Sequence, residues 1–250
     1  MHMVTIFLFF VYGLVFGSFY NVVGLRVPNK TFLLTKHSHC YICKQKLGWI
    51  ELIPVVSFLF QKGTCRSCGN RISSLYPIIE LLTGFLFVTA YSLYGWTTMT
   101  VFCLIIISLI IIVTISDIVY QKIPNKVLFF FLILLIVYNH FMNITSWRTS
   151  VIGAVVAFFL VLVIIIFSKG GMGIGDLKYF TLFGFVFGWS LFLLLFFLST
   201  LYGALINGLL LATKKVNRKT KVAFGPYIGA AALTVLFCGN KLLAIYLSLF

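Results

Sequence analysis

The sequence predicts an all-α integral membrane protein of about eight transmembrane helices, with one small polar lobe between the first and the second. Three observations carry that prediction. Of the 250 residues, 62% are hydrophobic and only 9% charged, against about 25% charged in an average soluble domain; the mean hydropathy is +1.13. Charge-free runs long enough to cross a bilayer recur along the chain. The basic residues fall almost entirely in alternate connections between those runs.

A hydrocarbon core of about 30 Å needs roughly 20 apolar residues per helix. Residues 1–25, 81–116, 127–147, 149–168, 179–213 and 222–240 contain no Lys, Arg, Asp or Glu. The run 179–213 would be about 50 Å long as one helix, too long for a single crossing, so Gly188-Trp189-Ser190 marks a tight hairpin within it. The run 81–116 breaks near Tyr94-Gly95-Trp96 in the same way. The expected spans are 4–25, 75–94, 98–117, 127–144, 150–168, 177–190, 192–212 and 222–239. The first lacks a basic n-region and an A-x-A-like site and reads as a membrane helix, not a cleavable signal peptide.

Orientation follows from Lys and Arg. Segments 26–74, 118–126, 169–178 and 213–221 hold eight, two, two and five of them, seventeen of the nineteen. Arg148 and Lys241 lie in the intervening connections. Eight spans put the two groups on opposite sides, and the richer side is cytoplasmic by the positive-inside rule. Both termini are then outside. The net charge of +15 is accounted for by orientation and by attraction to anionic lipid, so no nucleic-acid partner is expected.

Residues 26–74 stand apart as a cytosolic lobe, dividing the chain into a first helix (1–25), the lobe (26–74) and a membrane core (75–250). The lobe carries Cys40-Tyr-Ile-Cys43 and Cys65-Arg-Ser-Cys68. Two C-x-x-C knuckles supply four thiolates, the donor set of a closed tetrahedral zinc site. A reducing cytosol disfavours disulfides. Four closed ligands leave no open position, so this zinc is structural: it folds a lobe too small to bury a core of its own. His37 is a substitute ligand in principle. The fold class is therefore all-α membrane with a small cytosolic zinc-binding lobe between helices 1 and 2.

The chain has only four carboxylates, Glu51, Glu80, Asp117 and Asp176. Ionisable groups near a bilayer are costly, and function is the default account of them. Asp117 ends the third span and Asp176, preceded by Gly173 and Gly175, opens the sixth. Both lie at the cytoplasmic border, where a helix bundle can bring them together. Two carboxylates in one site hold a single proton between them, so one serves as acid and the other as base. The base takes a proton from an attacking water, and the acid polarises a peptide carbonyl. Glycines beside Asp176 let the backbone approach an extended substrate. The blander alternatives are a helix-end Asp117 balanced by Lys122 and Lys126, and an Asp176 stabilised by a helix macrodipole. Glu80 is placed in the first turns of the second helix, as a structural partner of Arg71, a turn cap or a supporting catalytic group. Glu51 is a lobe-surface or interface residue.

In order along the chain stand Gly17-Ser-Phe-Tyr-Asn21 with Arg26-Val-Pro28, the two C-x-x-C pairs, Glu51-Leu-Ile-Pro54-Val-Val-Ser57, Tyr76-Pro77-Ile-Ile-Glu80, Asp117 with Ile123-Pro124-Asn125, Gly173-Ile-Gly175-Asp176 and Phe224-Gly225-Pro226. This series resembles the type IV prepilin peptidases, membrane aspartyl proteases of the G-x-G-D type. The resemblance implies cleavage of the basic leader of prepilins or pseudopilins after a glycine, on the cytoplasmic face of the cell membrane. It implies Asp117 and Asp176 as the catalytic pair, with Gly173 and Gly175 in the active-site loop. It also implies N-methylation of the new terminus with S-adenosylmethionine as cosubstrate, and Gly63 matches a glycine linked in the family to that step. No glycine-rich nucleotide loop of Rossmann type is present, so methylation rests on the resemblance alone.

Two other classes compete with the peptidase. A proton- or cation-coupled transporter also uses membrane aspartates, but favours midplane sites and repeat symmetry, neither of which is visible. A zinc-binding scaffold without activity explains the cysteines but leaves Asp117 and Asp176 without a purpose. There is no H-E-x-x-H for a metalloprotease.

Overall fold

The computed structural model describes residues 2–32, 38–40, 42–168, 172–213 and 222–248. Helix follows helix: α1 (His2–Arg26), the short α2 (Val56–Phe60) behind a 3-10 turn at Trp49–Leu52, α3 (Leu75–Tyr94), α4 (Thr98–Tyr120), α5 (Asn125–Met142), α6 (Trp147–Phe167), α7 (Ile174–Ala212) and α8 (Gly225–Leu247). Seven of these are long and apolar enough to cross a membrane, which makes the chain a multi-pass membrane protein. The helices group into two compact units, Met1–Ile112 and Val113–Phe250.

The helix α7, 39 residues in one run, contains the break expected at Gly188. Gly188 has φ 75° and ψ 174°, a region open essentially to glycine alone. The Phe180 ring lies 6.1 Å from that of Phe192 and 5.4 Å from that of Phe196. In a straight helix, residues twelve and sixteen apart are separated by about 18 and 24 Å. The chain therefore doubles back at Gly188, and α7 is two arms, 174–187 and 189–212. Counting the arms separately restores the eight segments expected from the apolar runs. The first arm, at about 21 Å, is shorter than a bilayer core.

The helix α3 matches expectation at both ends, and the ends of the other helices differ from it by up to eight residues, several of them for local reasons. The helix α4 runs on to Tyr120 because nothing in 117–120 breaks it, and the left-handed Gln121, φ 51°, stops it. The helix α5 begins directly behind Pro124, which lacks an N–H and suits a helix entry. The helix α6 starts at Trp147 because Ser146 caps it, its hydroxyl accepting from the Thr149 N–H.

In the first unit, α1 and α3 meet through small residues. A Cβ on Gly13 would stand 2.6 Å from Gly84 Cα, and one on Gly17 would stand 2.8 Å from Glu80 Cα. Lipid provides no hydrophobic drive between helices, so close backbone contact supplies the packing energy. Polar links reinforce it: the Tyr20 and Ser108 hydroxyls join α1 to α4 at 2.5 Å, and Asn21 Nδ2 donates to the Tyr76 carbonyl at 3.3 Å. In the second unit α7 is the centre, packing against α6 and α8, with Tyr179, Phe180, Phe183 and Phe192 fully buried.

Candidate active site and metal centre

Asp117 sits in the last turn of α4 and is buried. Beyond it the chain turns sharply. The Gln121 N–H returns to the Asp117 carbonyl at 2.8 Å, and the Ser116 hydroxyl, itself buried, donates to the Lys122 carbonyl at 2.5 Å. The side chain of Asp117 reaches the start of α8, where its Oδ2 accepts the Gly225 N–H at 2.7 Å. The first N–H groups of a helix have no partner within the helix, and the dipole there favours an anion. Asp117 thus caps α8 from another helix.

Asp176 lies in the first turn of α7 and closes back on its own entry, Oδ2 accepting the Gly173 N–H at 3.0 Å. This is one half of a capping box, the third helical residue returning to the cap backbone. Each aspartate is therefore held by one carboxylate oxygen on a backbone N–H at a helix start. The loop before Asp176 touches the loop after Asp117: a Cβ on Gly175 would lie 3.2 Å from Ile123 Cβ, and Lys178 Nζ donates to Asn125 Oδ1 at 3.0 Å. The two carboxylates come within electrostatic range of each other. So the turns that carry the two aspartates, 59 positions apart in sequence, touch each other, with Gly173 and Gly175 directly before Asp176. The neighbouring lysine that engages the turn after Asp117 is Lys178, through Asn125.

In the lobe the two knuckles share one backbone design. The Cys40 N–H donates to the Gln45 carbonyl at 2.9 Å, and the Cys65 N–H to the Asn70 carbonyl at 2.8 Å. Lys44 and Gly69, each following the second cysteine of its knuckle, take left-handed φ of 58° and 70°. Short bridges His39–Lys46 and Thr64–Arg71 close the two turns. The four sulfurs Cys40, Cys43, Cys65 and Cys68 lie within 4.8 Å of one another, with Cys40–Cys68 at 3.9 Å and Cys43–Cys65 at 4.0 Å. Sulfurs bonded to one tetrahedral zinc at about 2.3 Å stand about 3.8 Å apart, whereas a disulfide requires about 2.05 Å. All four thiols are free, and the donor set fits a metal ion. Hydrogen bonds from the Asn70 backbone and side chain hold the Cys68 thiol down to about 6, while the Cys43 thiol in the same cluster is pushed up to about 11.

Gly63 stands between α2 and the second knuckle. Its φ is +68°, and a Cβ there would meet the Phe58 ring at 3.0 Å. Its N–H donates to the Phe58 carbonyl at 2.9 Å and its carbonyl accepts from Ile72 at 2.7 Å. Glycine at this position has a local structural reason. Glu80 is buried in α3, where its Oε2 accepts the Val55 N–H at 2.7 Å and its carboxylate also meets the Ser18 hydroxyl. It ties the lobe to α1 and α3. Glu51 accepts the Gly48 N–H at 2.8 Å within the 3-10 turn. His37 lies outside the described residues.

Two residues at the aspartate site were missed at the sequence level. Gly225 was noted only as part of a motif, yet a Cβ there would fall 2.8 Å from Asp117 Oδ2; a glycine followed by proline at a helix start was the available signal. Tyr179, three residues beyond Asp176, looked like any aromatic in an apolar run, and no signal singled it out.

Residues 11–94 match the bacterial peptidase A24 N-terminal domain, and residues 103–208 match the type IV leader peptidase family. The chain is 37% identical to a prepilin leader peptidase/N-methyltransferase of Bacillus subtilis, covering 96% of this chain and 97% of that protein. Proteins of the same name from Neisseria gonorrhoeae and Stutzerimonas stutzeri are 32% and 29% identical, covering 90% and 95% of this chain and 86% and 92% of theirs. No solved structure matches the chain. Matched by these two models in turn and 37% identical to a relative over nearly its whole length, the chain belongs to the type IV leader peptidase family.

Proposed function

We propose that this protein is a membrane aspartyl endopeptidase that removes the leader of prepilins or pseudopilins, with Asp117 and Asp176 as its catalytic pair. The observation that carries the reading is the convergence of two carboxylates from different helices, each oriented by a backbone N–H at a helix start. Such a pair hydrolyses a peptide with one proton between its members. The ionised aspartate takes a proton from water while the protonated one donates to the carbonyl oxygen. Gly173 and Gly175 leave room for the substrate backbone beside it. Membership of the family and the relatives' names support this substrate class, and nothing favours the transporter. The distribution of basic residues supports a site at the cytoplasmic side with both termini outside.

The lobe, residues 26–74, serves as a structural module beside the first helix (1–25) and the membrane core (75–250). Cys40, Cys43, Cys65 and Cys68 would hold zinc, which when bound supplies a tetrahedral cross-link between the two knuckles. Methylation of the new N-terminus, supported by the relatives' names, would draw its methyl group from S-adenosylmethionine. Gly63 contributes to that step through the shape it gives the lobe.

Purified wild type, Asp117→Asn and Asp176→Asn, each mixed with a prepilin whose basic leader ends in glycine, test the reading by mass spectrometry. Wild type should release the leader and both variants should leave it attached. Cleavage by either asparagine variant would remove that aspartate from the mechanism. In the presence of S-adenosylmethionine a methylated product should follow.

A further inference from the structure

Tyr179 follows Asp176 by three residues on α7, so the two side chains leave neighbouring turns on one face of the helix. Helical side chains lean toward the N-terminus, which carries the Tyr179 ring back over the turn bearing Asp176. The residue is completely buried. The Phe183 ring backs it at 4.6 Å between centroids, and its hydroxyl lies within electrostatic range of Asp117. Among the described residues that hydroxyl, sealed from solvent, has no hydrogen-bond partner.

A polar group left desolvated and unpaired costs about 1–3 kcal/mol, and phenylalanine in the same place would avoid the cost. Buried orphans are few in folded proteins, and each calls for an explanation. Beside a reaction site the explanation is specific. A donor that lacks a partner in the resting protein and gains one in the transition state adds to the rate instead of to resting stability. Phenol is such a donor at neutral pH, and Tyr179 stands on the helix face of Asp176, within electrostatic range of Asp117.

We propose that the Tyr179 hydroxyl is a third group of the reaction site, donating a hydrogen bond to the scissile carbonyl oxygen as negative charge develops there. This rests on the peptidase reading. As the oxygen of water bonds to the carbonyl carbon, one aspartate takes the proton of that water and the carbonyl π pair moves onto oxygen. Tyr179 and the protonated aspartate meet that charge with their O–H groups. When the pair returns, the C–N bond breaks and the leaving nitrogen takes a proton from an aspartic acid. Tyr179 keeps its own proton throughout, so it stabilises charge without serving as acid or base.

Tyr179→Phe removes the oxygen and keeps the ring. With the prepilin substrate, kcat should fall roughly 100-fold, the scale of a lost oxyanion donor, with KM within about twofold. Thermal stability should equal or exceed that of wild type, because the hydroxyl bonds nothing at rest. A kcat within about twofold of wild type would overturn the assignment. So would a variant that is both slower and less stable, since the hydroxyl would then be supporting the resting protein. Failure of wild type itself to cleave would bring down the peptidase reading and this assignment with it, whereas cleavage retained by Tyr179→Phe brings down the assignment alone.

Discussion

Gly225 donates its backbone N–H to Asp117 Oδ2 across 2.7 Å, joining the start of α8 to the last turn of α4 over 108 residues of sequence. The bond makes one end of a helix the orienting group for a side chain on another. It also explains why glycine stands there, since a Cβ would sit 2.8 Å from the same carboxylate oxygen and 3.1 Å from Asp117 Cβ.

Gly225→Ala should therefore displace Asp117 without unfolding the bundle. A misplacement of about 1 Å at a reacting group costs on the order of 100-fold in rate, and leader removal by this variant should fall by that order. Detergent-solubilised variant protein, assayed by mass spectrometry beside wild type, checks the rate. An unchanged rate would mean that the carboxylate can relocate freely.

The turn at Gly188 makes a stability prediction. Alanine there must adopt a torsion reserved for glycine, and its Cβ would lie 2.6 Å from Thr149 Cγ2. Gly188→Ala should lower unfolding stability by about 3 kcal/mol, read as a drop in melting temperature in detergent. Adding Thr149→Ser removes the methyl and leaves the torsion, so recovery should be partial. Full recovery would show that the clash, not the backbone, carried the cost.

Metal content tests the lobe. Wild type should contain about one zinc per chain by elemental analysis, the stoichiometry of a closed four-thiolate site, and Cys65→Ser should lose it. Gly63→Ala, forced into φ +68° against Phe58, should keep the metal but surrender it faster to a chelator. The strain of about 1–2 kcal/mol acts on the entry to the second knuckle. Release at the wild-type rate would separate Gly63 from the knuckle.

The helices were legible in the sequence because lipid demands long uncharged runs, and 75–94 was placed to the residue. The reversal at Gly188 was legible because a run of 35 uncharged residues cannot cross once. The cysteine site was legible because knuckle spacing is local. What escaped was contact between distant backbone groups and side chains. Asp117 was expected to meet Asp176, but its closest bond is to an N–H, which leaves no mark in residue type. Glu80 was offered Arg71 as a partner and takes Val55 instead, again a backbone donor. Tyr179 carries its information in the absence of a partner, which only coordinates reveal.

The hold of Glu80 on Val55 changes the arithmetic of the lobe. Between Arg26 and Leu75 the chain would otherwise form a single closed loop; fastened at Val55, it becomes two shorter ones, each containing one knuckle. Closure entropy grows only logarithmically, about 0.6 kcal/mol for each doubling of length. Either span can therefore gain or lose residues outside its knuckle at little thermodynamic cost. The fastening point has no such latitude. Val55 sits at φ 61°, a torsion a β-branched residue tolerates poorly, with its N–H engaged by a buried carboxylate. Engineered variants can therefore vary the lobe in length on both sides of position 55, while the anchor itself keeps the four-cysteine module in register with α3.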